Sequence, residues 1–230
     1  MPPEQRSELL RAWYLALLER LGPSRWWPGE SPFEVAVGAV LVQNTAWRNV
    51  EKALASLKAK KALDPASLLR MPEAELHEAL RPSGYFRLKA GRLRNLLAYF
   101  AEHAGWDKAP GNLALSFLKR KSTERLRREL LAVKGIGAET ADAVLLYALD
   151  RPSFVVDAYT RRIFSRHGLV PPDIAYEDLR EFFMRALPED RALYNEYHAL
   201  IVRLGNAFCL KSRPRCAECP LGVFMDHAPL

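Results

Sequence analysis

Lys134-Gly135-Ile136-Gly137 sets two glycines in a tight hairpin between two amphipathic segments. Glycine reaches positive φ without strain, and its missing Cβ lets another molecule's backbone come close. The amides of such a hairpin, with the N-terminus of the helix that follows, form an anion site. Val155-Val156-Asp157 then supplies one carboxylate a short way along the chain. A carboxylate can stabilise a cation that develops as a bond breaks, and can orient or deprotonate a water. A phosphate grip followed by such a group implies an enzyme that holds DNA and acts on it. Asp157 also stands just before a predicted helix, where aspartate is a common N-cap, and the two readings compete. Asp142, on the second hairpin helix, reads as an exposed helical residue.

Two further sets of residues could do chemistry. The three cysteines of the chain lie near its C-terminus as Cys209-x6-Cys216-x2-Cys219. In an intracellular protein such clustering argues for metal rather than disulfides, and zinc held by three thiolates plus His227 is one option. Within the cysteine loop, Lys211-Ser212-Arg213-Pro214-Arg215 presents Lys211, Arg213 and Arg215, which suit a phosphate backbone or make a solvated basic loop. Trp26, Trp27 and Trp47 are three of five tryptophans. Each, taken by itself, reads as ordinary core or inter-domain packing.

Rigid elements must hold these groups, and the apolar pattern is helical almost throughout. Leu10, Trp13, Tyr14, Leu17 and Leu18 recur at helical spacing, as do Ala141, Val144, Leu145, Ala148 and Leu149. Ser31-Pro32-Phe33-Glu34 reads as a helix start, with an N-cap serine, Pro at the first position and Glu completing a capping box. Further helices are predicted over 49–60, 73–80, 87–103, 123–133, 138–149, 158–167, 175–186 and 191–206. Breaks fall at Gly22-Pro23, Pro28-Gly29, Pro82-Ser83-Gly84, Pro110-Gly111 and Pro171-Pro172. No alternating run of β-branched residues is long enough for a sheet, so an all-α fold is expected.

The chain's 230 residues allow one large or two small domains with a real core. Its 34 Lys plus Arg against 27 Asp plus Glu give a net charge of +7, which fits a polyanionic partner without requiring one. The first residues lack the apolar core of a signal peptide, and no segment approaches membrane-spanning length. A cytoplasmic, nucleoid-associated monomer with no membrane partner is expected.

The hairpin and Val155-Val156-Asp157 together resemble the helix-hairpin-helix DNA glycosylases of the endonuclease III superfamily. Ser31-Pro32-Phe33-Glu34, Val42-Gln43-Asn44-Thr45, Gly84-Tyr85-Phe86, His198 and the cysteines extend the resemblance over nearly the whole chain. Arg25-Trp26-Trp27-Pro28, Gln43-Asn44-Thr45-Ala46-Trp47 and the hairpin are most similar to the 3-methyladenine DNA glycosylase III branch. The resemblance implies a two-domain fold with a DNA-binding cleft. A six-helix barrel over 31–143 would carry the hairpin, and 1–30 plus 144–230 would carry Asp157 and the cysteine loop.

The same resemblance assigns roles, residue by residue. Asp157 would be catalytic. Gln43, with Tyr85 or Phe86, would enter the gap left by a flipped base. Lys134, Gly135 and Gly137 would grip a phosphate, and Trp26, Trp27 and Trp47 would line the base pocket. An adenine alkylated at N3 is electron-poor, so aromatic faces favour it. Lyases of the superfamily place a lysine two residues past the second hairpin glycine, where this chain has Glu139. A carboxylate forms no imine, so a monofunctional enzyme acting on double-stranded DNA with damaged bases is expected. Endonuclease III-like action on oxidised pyrimidines, and DNA binding without catalysis, are the alternatives. The cysteine spacing is similar to the first three ligands of a [4Fe–4S] loop. Met225 stands where the fourth cysteine would be, and Asp226 or His227 could substitute.

Overall fold

The computed structural model describes residues 1–24, 26–27, 29–104 and 120–227. Arg25 and Pro28 of the Arg25-Trp26-Trp27-Pro28 motif, the Pro110-Gly111 break and the side chains of Asp226 and His227 lie outside what is described. The described residues fold as helices α1 (Pro3–Leu21), α2 (Pro32–Leu41), α3 (Trp47–Ala59), α4 (Pro65–Arg70), α5 (Glu73–Leu80) and α6 (Phe86–Ala104). They continue with α7 (Thr123–Ala132), α8 (Ala138–Ala143), α9 (Ala158–Arg166), α10 (Tyr176–Met184) and α11 (Arg191–Ala207). Among the described residues there is no strand, and no helix is long and apolar enough to cross a membrane. The fold is all-α.

The chain divides into two compact units, Pro28–Arg151 on one side and Met1–Trp27 with Pro152–Leu230 on the other. The first of these is built on α2, whose residues Phe33 to Leu41 are all buried. Apart from Glu34 in its first turn the helix is apolar all round, and such a helix has no solvent face and becomes a core. Residues 144–149, expected with the other half, are buried and belong to this unit, and Val144–Ala148 packs on α2. The expected single helix over 138–149 is α8 followed by a wider turn over Val144–Ala148.

Ser31 caps α2 by accepting from the Glu34 amide at 3.1 Å, but the box does not close on Ser31. Glu34 instead accepts from the Glu30 amide at 3.1 Å and pairs with Lys58 at 2.8 Å. The short helix α4, absent from the sequence expectation, carries its own start signal: Asp64 accepts from Ser67 N at 2.9 Å and Pro65 occupies the first turn.

In the other unit α11 is the central helix, burying Tyr194, Tyr197, His198, Leu200, Ile201 and Leu204. Phe154 stacks on Phe183 with centroids 4.1 Å apart, and both meet Tyr197 edge-on. A Cβ on Gly205 would sit 2.3 Å from Tyr159, so glycine there lets α9 approach α11. Arg203 of α11 donates to the carbonyls of Leu21 and Gly22, tying down the end of α1.

Candidate functional site

In the Met1–Trp27 and Pro152–Leu230 unit, Asp157 is the N-cap of α9. Its Oδ1 accepts from the Thr160 amide at 2.7 Å and from Thr160 Oγ1 at 2.8 Å. Oδ2 takes no part in the cap and stands 3.8 Å from Nε2 of buried His198 on α11, longer than a direct hydrogen bond. Burial opposes ionisation of Asp157, but His198 and the two Thr160 donors outweigh it and hold the carboxyl below its ordinary value. It is an anchored carboxylate with one oxygen outside the cap.

The same unit holds Trp26 and Trp27, half-buried and edge-to-face at 5.5 Å. Upstream of them, Ser24 donates from its amide and Oγ to Glu196 of α11, at 2.6 and 2.8 Å. Trp47, also half-buried, opens α3 in the other unit.

In the Pro28–Arg151 unit, the hairpin turns through Gly135 at φ +92°, where a Cβ would come within 2.4 Å of Arg92 Cγ. Gly137 differs from expectation: it is the extended N-cap of α8 at φ −88°, and a Cβ there would meet open space. Its bareness leaves room for an approaching backbone rather than serving the turn. Lys134, Gly135 and Gly137 are exposed and Ile136 is buried. Asp142 is not exposed: at 0 % accessibility it accepts from Arg127 of α7 at 2.8 and 3.0 Å. Placed on the inner face of α8, it pins the two hairpin helices together.

Gln43 is engaged with the hairpin. Its Nε2 donates to Thr140 Oγ1 at 2.8 Å and to Gly135 O at 3.3 Å, while Arg92 donates to its Oε1 at 2.5 Å. Tyr85, by contrast, is 72 % exposed at φ 46°. Phe86 lies under the guanidinium groups of Arg81 and Arg87, at 5.3 and 5.2 Å.

Cys209, Cys216 and Cys219 line one cavity of about 190 Å³ together with Met225, His167, Arg166 and Pro214. Burial pushes the Cys219 thiol up and the neighbouring Cys209 and Cys216 add to this, while the Leu221 and Gly222 amides act against it. Among the described residues no three His, Cys, Asp or Glu are gathered closely enough to hold a single metal ion. The three thiols are brought together only as far as lining this one cavity. Lys211, Arg213 and Arg215 are exposed on the connecting loop.

Residues 37–189 match the family of HhH-GPD superfamily base excision DNA repair proteins. The chain belongs to that superfamily. It is a helix-hairpin-helix DNA glycosylase. A Methanocaldococcus jannaschii protein, provisionally described as a DNA repair glycosylase, is 44 % identical over 221 residues, covering 96 % of this chain and 97 % of its own. Endonuclease III of Thermotoga maritima is 30 % identical over 192 residues, 82 % of this chain and 79 % of its own. Among solved structures, the H. pylori 3-methyladenine DNA glycosylase bound to 1,N6-ethenoadenine superposes with a TM-score of 0.71 at 29 % identity. That match covers 86 % of this chain and 96 % of the other.

Several residues that shape this glycosylase were not singled out by sequence. Arg162 and Arg166 of α9 reach the cysteine loop: Arg162 donates to Cys209 O at 2.9 Å and Gly205 O at 3.1 Å. Arg166 donates to Cys209 Sγ at 3.3 Å, Leu210 O at 2.7 Å and Lys211 O at 2.8 Å. Their i, i+4 spacing just after Asp157 was visible, but the carbonyls they serve are not. Lys89, Arg92 and Asn95 of α6 are not legible as site residues in the sequence, because charged and amide side chains in a helix are usually solvated.

Proposed function

We propose that the chain is a monofunctional DNA glycosylase that hydrolyses the N-glycosidic bond of alkylated purines, such as 3-methyladenine, in double-stranded DNA. Asp157 carries the reading: an ionised carboxylate held by Thr160, with Oδ2 outside the cap, suits a cationic sugar and an attacking water. The exposed hairpin residues Lys134, Gly135 and Gly137 would hold the phosphate, and Tyr85 would enter the opened duplex. The alkyl preference is supported by the aromatic pair Trp26 and Trp27 and by the likeness to the H. pylori enzyme. Glu139 in place of a lysine supports hydrolysis without strand cleavage. We assign the cysteine cavity to a [4Fe–4S] cluster on Cys209, Cys216 and Cys219, completed by Met225, Asp226 or His227. Bound there, it would brace the loop of Lys211, Arg213 and Arg215 against the DNA backbone. The enzyme would act as a monomer in the cytoplasm.

Endonuclease III-like action on oxidised pyrimidines is the second reading, favoured by the identity with the Thermotoga enzyme. Duplexes each carrying one defined lesion, compared under single-turnover conditions, decide between them. Release of 3-methyladenine faster than thymine glycol, with an intact abasic strand and no borohydride-trapped adduct, is the expected result. Faster release of thymine glycol, or an efficient adduct, would establish the second reading. Normal duplex binding with release of neither base would leave a DNA-binding protein without catalysis.

A further inference from the structure

A single face of α6 braces the segments of its unit that bear the proposed DNA contacts. Lys89, Arg92 and Asn95 follow at i, i+3 and i+6 along it. Asn95 donates to Lys134 O at 2.9 Å, and Arg92 donates to Gln43 Oε1 at 2.5 Å. Lys89 is 1 % exposed, and its Nζ donates to Leu41 O at 2.8 Å and to Ser83 O at 2.6 Å. Those two carbonyls stand directly ahead of two turns, 42–46 and 84–85. Each turn holds a non-glycine residue at positive φ, Asn44 at 53° and Tyr85 at 46°. Such backbone persists only where its surroundings hold it. A buried ammonium is costly unless its hydrogen bonds are met. Burial, and then the charge of Arg92, lower the Lys89 pKa to about 8. An apolar side chain could fill this volume without that cost, so what Lys89 adds is the bridge between the carbonyls.

We propose that Lys89 is a positioning residue that locks the 42–46 and 84–85 turns to each other, so that Asn44 and Tyr85 meet a duplex as one rigid pair. The pair would favour a duplex with a missing base over an intact one, because only the former offers a gap for Tyr85 to enter. This inference rests on the glycosylase reading. Binding through the hairpin and the basic loop does not depend on it.

Full-length Lys89→Met and Lys89→Gln, beside the wild type, would be titrated with an intact duplex and with one carrying a stable abasic-site analogue. 2-Aminopurine opposite the gap would report base opening by fluorescence. Lys89→Met should bind intact duplex within about twofold of the wild type and lose about tenfold or more of the preference for the gap. It should also lose the fluorescence rise, with Lys89→Gln, which keeps N–H donors on a shorter, uncharged side chain, falling between. An unchanged preference, or both affinities falling in proportion, would overturn the proposal. A wild type without preference that also releases no base removes the glycosylase reading and this inference with it. A wild type that releases base while showing no preference overturns this inference alone. Should neither variant fold, amide exchange on the wild type decides. Residues 42–46 and 84–85 should gain protection together when the abasic duplex is added, and independent exchange would refute the lock.

Discussion

Asp157 divides its oxygens, Oδ1 to the Thr160 cap and Oδ2 toward His198. Asparagine also caps well, so Asp157→Asn should keep the fold and duplex binding while base release drops at least about a hundredfold, as when a transition-state electrostatic partner is removed. Substantial single-turnover release by the folded variant would end the catalytic assignment. The lowered carboxyl also has a stability consequence. With its folded pKa below the unfolded value of about 3.9, Asp157 contributes stability above that value and loses it as pH falls through the folded one. Denaturant melts of wild type and Asp157→Asn should therefore converge in acid. The hairpin glycines should separate too. Gly135→Ala meets positive φ and Arg92 and should cost about 1–3 kcal/mol. Gly137→Ala faces open space and should leave stability within about 0.5 kcal/mol, while weakening duplex binding if a phosphate backbone comes close there.

Helices α6 and α9 act as braces, each through polar side chains that reach carbonyls. On α6 the linkage of Lys89 runs opposite to that of a stabilising pair. Its folded pKa of about 8 lies below the unfolded value near 10.4, so the unfolded chain binds more protons between them and stability rises with pH across that window. Wild-type stability measured against Lys89→Met should climb there by at most about 1.4 kcal/mol per pH unit; a flat difference would contradict the lowered pKa. On α9, Arg162 and Arg166 join the helix that Asp157 caps to the cysteine loop. Arg166→Ala removes donors to Cys209, Leu210 and Lys211; with the proposed cluster in place it should speed loss of iron to a chelator, followed by elemental analysis.

Across the whole molecule the net charge of +7 and the exposed Lys211, Arg213 and Arg215 favour a polyanion. Changing any one of these three to Ala should weaken binding of all sequences alike and reduce the salt slope by about one. Protein purified without oxygen should be yellow-brown, with about four irons per chain. Colourless protein with stoichiometric zinc, or with no metal, would refute the cluster. Exchange of Asp226 and of His227 would then be judged by iron content and spectrum rather than by turnover alone.

The all-α class, the helix starts with Ser31 and Asp157, and the hairpin between two helices were legible because they depend on local periodicity and turn chemistry. Asp157 as a chemical candidate was legible by resemblance, though not which oxygen caps. Tertiary structure decided what depends on who faces whom. Asp142 is buried because Arg127, on the preceding helix, comes to meet it. Gln43 braces the hairpin because Gly135, Thr140 and Arg92 converge on its amide. Lys89 is buried because the carbonyls of Leu41, far along the chain, and of nearby Ser83 replace its water. A sequence states which groups can donate and accept; only packing removes the solvent that would otherwise satisfy them, and that removal makes each partner matter.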